Sequence, residues 1–243
     1  MTHPIYAIGD IHGQLEMLED ALARIEADGG KNAPIIFLGD YVDRGSDSKA
    51  VIARLMDGKS AGKQWRFLKG NHDRMFEWFM EPTPRHDSHL LVGYHWLHER
   101  LGGTTTLASY GVDVGNRRRL FDVHDEARKA VPLSHQRFLQ DCEISISQGP
   151  LFFCHAGVRP RVPLAEQAEN DLVWIREDFS HDTSDHGALV VHGHTPVDAP
   201  LHAGNHVNLD TGAGYGKPLT AAVFEGTDIH VITKDGRKPL KPA

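Results

Sequence analysis

Cysteine is scarce in this chain, which has two among 243 residues, Cys142 and Cys154. Two thiols cannot build a disulfide framework, so stability has to come from a packed core. Cys154 ends the apolar run Leu151-Phe152-Phe153, where a small buried residue is expected. An excess of positive charge is also missing, since 26 Lys and Arg face 33 Asp and Glu for a formal charge of −7. That balance argues against nonspecific binding to nucleic acid or to an anionic membrane surface, although bound divalent cations would reverse the local sign. No apolar run approaches the ~20 residues that a membrane-spanning helix needs. Met1-Thr2-His3-Pro4 leads into Ile5 without the basic start and apolar segment of a secretory leader, so a cytoplasmic protein is expected. Low-complexity tracts are absent as well.

What is present suffices for a sizeable core: 40% of the residues are hydrophobic, and the length suits one domain, residues 1 to 243. Histidine, at seventeen residues, is the compositional oddity. Ile5 to Ile8 reads as a strand that ends in Gly9-Asp10-Ile11-His12-Gly13, and Leu15, Leu18, Leu22 and Ile25 follow at helical spacing up to Gly29-Gly30. Pro34 to Leu38 reads as a second strand ending in Gly39-Asp40-Tyr41-Val42-Asp43-Arg44-Gly45, with a helix carrying Val51, Ile52, Leu55 and Met56 after it. Trp65 to Leu68 reads as a third, ending in Gly70-Asn71-His72-Asp73 before the apolar helical face of Met75, Phe76, Phe79 and Met80. Successive β-loop-α units imply a mainly parallel sheet.

The pattern then changes to a helical insertion, about residues 81 to 143, with helices expected around Leu90 to Leu101, Arg117 to Ala130 and Ser134 to Asp141. His89, His95 and His98 within it read as a solvated helix face rather than a metal site, and Arg117-Arg118-Arg119 as a solvated helix start. Strands return at Ile144 to Ser147, Leu151 to Cys154, Ala188 to Val191, Val207 to Leu209, Thr220 to Glu225 and Ile229 to Thr233, and suggest a second, largely antiparallel or mixed sheet packed on the first. The tail Lys234 to Ala243 is expected to be loose.

Five strand ends thus offer Asp10 and His12, then Asp40, Asp43 and Arg44, then Asn71 and His72, then His155, then His194. A lone Asp after a strand is commonly a helix cap and a lone His in a Gly-rich turn a surface residue. Their joint occurrence beside glycines, at the end of strands where α/β sheets hold ligands, points to one site. Mixed oxygen and imidazole donors suit manganese, iron or zinc better than calcium or magnesium, and Arg44 offers a planar fork for phosphate.

The ordered set Gly9 to Gly13, Gly39 to Gly45, Gly70 to Asp73, His155-Ala156-Gly157 and Gly193-His194-Thr195 resembles the metallophosphoesterase superfamily, and within it the PPP family of serine/threonine protein phosphatases in its compact bacterial and phage form. Val173 to Glu177 resembles the segment that supplies that family's second phosphate-binding arginine, here Arg176, and Asp210-Thr211-Gly212-Ala213 a later core loop. The resemblance implies a four-layer α/β/β/α sandwich with two mixed sheets and two divalent metal ions, Mn2+ foremost with Fe or Zn as alternatives. It implies one ion on Asp10, His12 and Asp40 and the other on Asp40, Asn71, His155 and His194. It further implies in-line attack by a metal-bridging hydroxide, phosphate held by Arg44, Arg176 and Asn71, and His72 protonating the leaving group with Asp43 behind it.

The expected substrate is a phosphoprotein or phosphopeptide, with no nucleic-acid or membrane partner and no obligate regulatory subunit. A symmetrical dinucleoside tetraphosphatase is the alternative; it shares the Asp73 found here in place of the eukaryotic phosphatases' glutamate, whereas the Asp43-Arg44 pair separates the two. A phosphodiesterase is a weaker option because two arginines suit a dianionic monoester, and a catalytically dead binding module is disfavoured because no ligand is missing. Cys154 and Arg159 have four residues between them, one short of the cysteine-phosphatase loop they would otherwise resemble.

Overall fold

The computed structural model describes residues 4–115 and 117–243, so the start read above from Met1 to His3 lies outside the described residues. Three β-loop-α units open the fold: β1 (Ile5–Ile8) and α1 (Leu15–Gly29), β2 (Ile35–Phe37) and α2 (Ser48–Ser60), β3 (Trp65–Phe67) and α3 (Asn71–Met80). Helix α1 buries Leu18, Ala21, Leu22 and Ile25, three and four residues apart as one helix face requires. Every residue of β2 is buried, as in a strand covered on both faces. Strands β1, β2 and β3 run parallel, with Tyr6 opposite Ile35 and Ile35 opposite Trp65.

The insertion forms α4 (Gly103–Ser109), α5 (Leu120–Ala130) and α6 (Leu133–Gln140). The helix expected over Leu90 to Leu101 does not form; that stretch is a series of turns. Gly93 and Gly102 hold φ of 86° and 84°, which no α-helix accommodates, and Leu91 and Val92 face solvent while Trp96 and Leu97 are buried. His89, His95 and His98 therefore share no helix face. Helix α4 escapes sequence reading because its three threonines are weak helix formers; burial of Thr106 and Leu107 overrides that preference.

The second sheet contains β4 (Ser145–Gln148), β5 (Leu151–Cys154), β6 (Leu189–His192), β7 (Leu201–His202) and β8 (His206–Asn208) in the order β4-β5-β6-β8-β7. Its centre, β5-β6-β8, is parallel and its two edges antiparallel, so it is mixed. Between β5 and β6 lie α7 (Glu169–Trp174) and α8 (Glu177–Ser180).

The chain then returns to the first sheet. Strands β9 (Ala221–Glu225), β10 (Asp228–Thr233) and β11 (Gly236–Pro239) give the order β11-β10-β9-β1-β2-β3, with β9 antiparallel to β1. The last strands thus complete the first sheet instead of extending the second, because β9 is buried at Ala221 to Phe224 and pairs along the whole of β1. Nor is the tail loose: Gly236, at φ 98°, turns β11 back on β10, and the N–H groups of Leu240 and Ala243 donate to Ile229 O and His202 O at 2.9 Å each.

Ala7, Ile36 and Leu38 of one sheet meet Phe153, Val191 and Val207 of the other in a buried interlayer core. The outer face of the first sheet packs on α1 to α6 and that of the second on α7 and α8. Each fully buried Val, Leu or Phe contributes about 1.5–3 kcal/mol of transfer free energy. The result is the α/β/β/α sandwich with two mixed sheets. Its inner strands deliver their carboxyl ends to one shared edge.

Candidate metal and phosphate site

Loops at that edge are stitched by backbone and side-chain hydrogen bonds. The Ile11 and His12 N–H groups donate to Asp40 O at 3.1 and 2.7 Å, and the Gly193 N–H to His155 O at 2.8 Å. His72 N–H donates to Asp40 Oδ1 at 2.9 Å, and His194 N–H to Asp10 Oδ2 at 3.0 Å. Asp73, at the start of α3, accepts from Tyr41 N–H and Gly70 N–H at 2.9 Å each, tying the β2 and β3 loops together. Burial first, then the charge of Asp40, pushes the Asp73 carboxyl up to about 8.

The backbone is wound tightly here. His12, Asp40, Asp43, Arg44 and His194 hold φ of 48°, 50°, 73°, 68° and 67°, and among the described residues the only other non-glycine with positive φ is Arg161. Such conformations cost about 1–3 kcal/mol each and persist where surroundings over-determine them. A Cβ on Gly193 would lie 2.0 Å from Asp10 Oδ1, and one on Gly70 2.1 Å from Asp40 Oδ1, so these glycines let backbone pack against the carboxylates.

The donor set fits divalent ions. His12 Nδ1 donates to Val42 O at 2.8 Å and His155 Nδ1 to Leu38 O at 2.9 Å, which fixes both tautomers with Nε2 as the free acceptor. Those Nε2 atoms lie 3.4 and 3.5 Å from Asp40 Oδ2. His155 Nε2 is also 3.0 Å from Asn71 Oδ1 and 3.2 Å from His194 Nδ1. Burial holds His12, His155 and His194 below the ordinary imidazole range, and with Nδ1 donating to backbone, His12 Nε2 and His155 Nε2 face Asp40 Oδ2 acceptor to acceptor, a contact that a bound cation would satisfy. Burial, then the charges of Asp210 and Asp40, pushes the Asp10 carboxyl well up, as in a pocket crowded with anions. His194 Nε2 is buried without a hydrogen-bond partner.

Two sets of ligand atoms lie within 4.8 Å of one another among the described residues, His12-Asp40-His72 and Asp40-His155-His194. Asp40 belongs to both, as a bridging carboxylate must. Asn71 joins the second set through His155. Asp10, expected beside His12 and Asp40, is buried nearby but falls outside the first set, where His72 stands instead.

His72 is held otherwise than His12 and His155. Its Nδ1 lies 2.7 Å from Asp43 Oδ2, a fully buried carboxylate. Arg44 reaches the opposite side of that imidazole, with Nη2 3.3 Å from His72 Nε2 and Nη1 2.6 Å from His12 Nε2. Arg176 donates from Nη1 to His194 O and Thr195 Oγ1 at 3.2 and 3.3 Å, which places it at the mouth above the second set. Every side chain picked from the sequence thus reaches one pocket, from β1, β2, β3, β5, β6 and the loop after α7.

Tertiary structure brings four further residues to the site, one of them, Asp210, from a loop already marked by its sequence. Trp96 and Thr106 of the insertion donate to Asp43 at 2.8 and 2.7 Å. Asp210, in the loop noted earlier, is buried beside Asp10 and Asp40. Tyr215, 62% exposed, lies under the Arg44 guanidinium, 4.6 Å from it. No spacing signal links Trp96 or Thr106 to Asp43, more than fifty positions away. Tyr215, five residues past Asp210, could have been marked by its place in the Gly-rich segment Gly212 to Gly216.

Two groups of buried candidate metal ligands that share Asp40, with arginines beside them, suit a phosphoester hydrolase that uses divalent metals. The profile of the calcineurin-like phosphoesterases matches residues 3–232, and the chain belongs to that family. It is 24% identical over 258 residues to the asymmetrical bis(5'-nucleosyl)-tetraphosphatase PrpE of Bacillus mycoides (strain KBAB4), covering 97% of this chain and 95% of the relative. Among solved structures, it resembles a putative diadenosine tetraphosphatase with TM-score 0.65 and 20% identity, over 100% of this chain and 96% of the other. It also resembles the cold-active protein-tyrosine phosphatase of a psychrophile, Shewanella sp., with TM-score 0.68 and 15% identity, over 99% and 81%. These structural likenesses show the fold.

Proposed function

We propose that this chain is a phosphomonoesterase of the PPP type, removing phosphate from phosphoserine and phosphothreonine in proteins. The observation that carries the reading is the buried Asp43-His72 pair at 2.7 Å, set in the same pocket as Arg44 and the metal-binding cluster. A seryl or threonyl alkoxide leaves poorly unless it is protonated, so an imidazole held ready by a carboxylate is what its hydrolysis needs. A leaving nucleotide or inorganic phosphate has no such requirement.

Asp10, His12 and Asp40 would hold one ion, and Asp40, Asn71, His155 and His194 the other. When bound, the ions supply Lewis-acid polarisation of the phosphoryl group and activation of the water nucleophile. Mn2+ suits this donor set, with Fe or Zn as alternatives. Arg44 and Arg176 orient and neutralise the nonbridging oxygens as planar forks, with Asn71 beside them. His72 gives the proton on Nε2 to the departing oxygen, while Asp43 keeps Nδ1 protonated and the ring in place. Phosphate monoesters can demand enhancements approaching ~10²¹, and acid catalysis typically supplies about 10²–10⁴ of it. Ions and arginines therefore carry the larger share.

A second reading, asymmetrical cleavage of dinucleoside tetraphosphates, is supported by the name of the Bacillus mycoides relative, which the chain matches over 97% of its length. It replaces the symmetrical cleavage considered from the sequence. The test is one metal-reconstituted assay with phosphoserine, phosphothreonine and phosphotyrosine peptides and diadenosine tetraphosphate side by side. The phosphoserine and phosphothreonine peptides should have the highest kcat/KM. A preference for diadenosine tetraphosphate, with AMP and ATP as products, overturns the first reading in favour of the second.

A further inference from the structure

Three hydrogen bonds converge on the Asp43 carboxylate, whose residue is fully buried. Oδ2 accepts from His72 Nδ1 at 2.7 Å and from Trp96 Nε1 at 2.8 Å, and Oδ1 accepts from Thr106 Oγ1 at 2.7 Å. Thr106 has a single hydroxyl proton, which Asp43 takes; the same oxygen accepts from Asp43 N–H at 2.8 Å and faces Ser48 Oγ at 3.1 Å. Indole N–H can only donate. Trp96 and Thr106 both donate and so stabilise Asp43 as a carboxylate, which favours the shared proton on His72 Nδ1. Nε2 is then the only ring nitrogen left to face the pocket.

The same segment braces the backbone. Arg44 N–H donates to Gly102 O at 3.4 Å, beside the left-handed Asp43 and Arg44. Trp96 is stacked on Phe76 and packs on Phe79, with ring centroids 5.1 and 4.8 Å apart; both belong to α3, the helix that begins at Asn71-His72. Trp96, Gly102 and Thr106 thus hold both partners of the acid pair, the carboxylate directly and the histidine through its helix.

We propose that Trp96 and Thr106 are positioning residues for the leaving-group step: they fix the Asp43 carboxylate and, through it, the tautomer and orientation of His72. The insertion is on this account part of the acid machinery. The inference rests on the acid role of His72 proposed above.

The experiment compares p-nitrophenyl phosphate with phenyl phosphate, esters of nearly equal shape whose leaving groups differ in basicity, on the metal-reconstituted enzyme. Thr106→Val and Trp96→Phe should each lower kcat on phenyl phosphate by about tenfold, a fraction of the ~10²–10⁴ that acid catalysis supplies as a whole. The p-nitrophenyl ester should lose less than about threefold and KM should stay put, because the better leaving group asks less of the acid. Thr106→Ser keeps the hydroxyl and should restore the wild-type ratio. Retention of the wild-type metal-induced rise in melting temperature shows that the variants are folded with an intact cluster. Equal losses on both esters, no loss on either, or no rescue by Thr106→Ser overturns the positioning role. His72→Asn separates the two levels: if it discriminates between the esters while the insertion variants do not, the acid assignment stands and this inference falls, whereas if it discriminates between neither, both fall.

Discussion

Asp40→Asn is the most incisive perturbation of the site. Asp40 Oδ2 lies 3.4 Å from His12 Nε2 and 3.5 Å from His155 Nε2, so the change should weaken both ions together. An ion present at 100 times its Kd stabilises the folded state by about 2.7 kcal/mol. At roughly 2–4 °C per kcal/mol for a domain of this size, wild-type protein should gain about 5–11 °C in Tm for each ion. Removing a partner of the ligands alone typically weakens metal binding by about 10–100-fold, and loss of the bridging charge belongs at the upper end. The same metal concentration then only equals Kd, and the gain shrinks to about 0.4 kcal/mol, or ~1–2 °C per ion. Thermal melts of metal-free and Mn2+-loaded protein give these differences, and the direct effect of the substitution on the fold cancels between the two states. His194→Ala serves as comparison, because its side chain belongs only to the second set and one ion's share should survive. An Asp40→Asn protein that keeps the full wild-type rise would refute the bridging role.

Other expectations are as direct. His72→Asn should lose about 10²–10⁴-fold in kcat on phosphoserine peptide while retaining much of its rate on p-nitrophenyl phosphate, as steady-state assays on both will read. Gly193→Ala puts a Cβ 2.0 Å from Asp10 Oδ1, so Asp10 or the loop must shift; overpacking of this kind costs about 1–3 kcal/mol, and kcat/KM should collapse while circular dichroism still shows a folded protein. Stability should fall in mild acid through His206, whose imidazole is pushed down to about 4 by burial, with His186 and His202 adding to it. The unfolded residue takes up a proton near pH 6.5 that the folded one refuses down to about 4, so its contribution is complete above pH 6.5 and is lost as pH falls through that window, about 2 kcal/mol by pH 5. Urea midpoints at pH 7 and pH 5 should therefore differ less in His206→Gln than in wild type.

Much of this molecule is decided locally and can be read from the chain. The three β-loop-α units follow from apolar runs of strand length alternating with amphipathic helical spacing, and glycines at their junctions place Asp10, Asp40 and Asn71 at strand ends whatever the rest of the chain does. That the structure gathers Asp10, His12, Asp40, Asp43, Arg44, Asn71, His72, His155, Arg176 and His194 in one pocket follows from the same rule, since parallel strands deliver their carboxyl ends to one edge. Tertiary structure decided what depends on distant partners. The path of β9 to β11 back to the first sheet is set by which strand edge is free once the layers pack, and the tail is ordered by pairing with β10. The left-handed backbone at His12, Asp40, Asp43, Arg44 and His194 is imposed on residues that do not prefer it. The turns over 90 to 101 and the hold of Trp96 and Thr106 on Asp43 exist only because burial around α3 and α4 outweighs local propensity. Local sequence sets which chemistry stands at the strand ends. Long-range packing decided how Asp43 is held and how the proton-bearing face of His72 is aimed, because contacts across fifty or more positions carry no periodic signature.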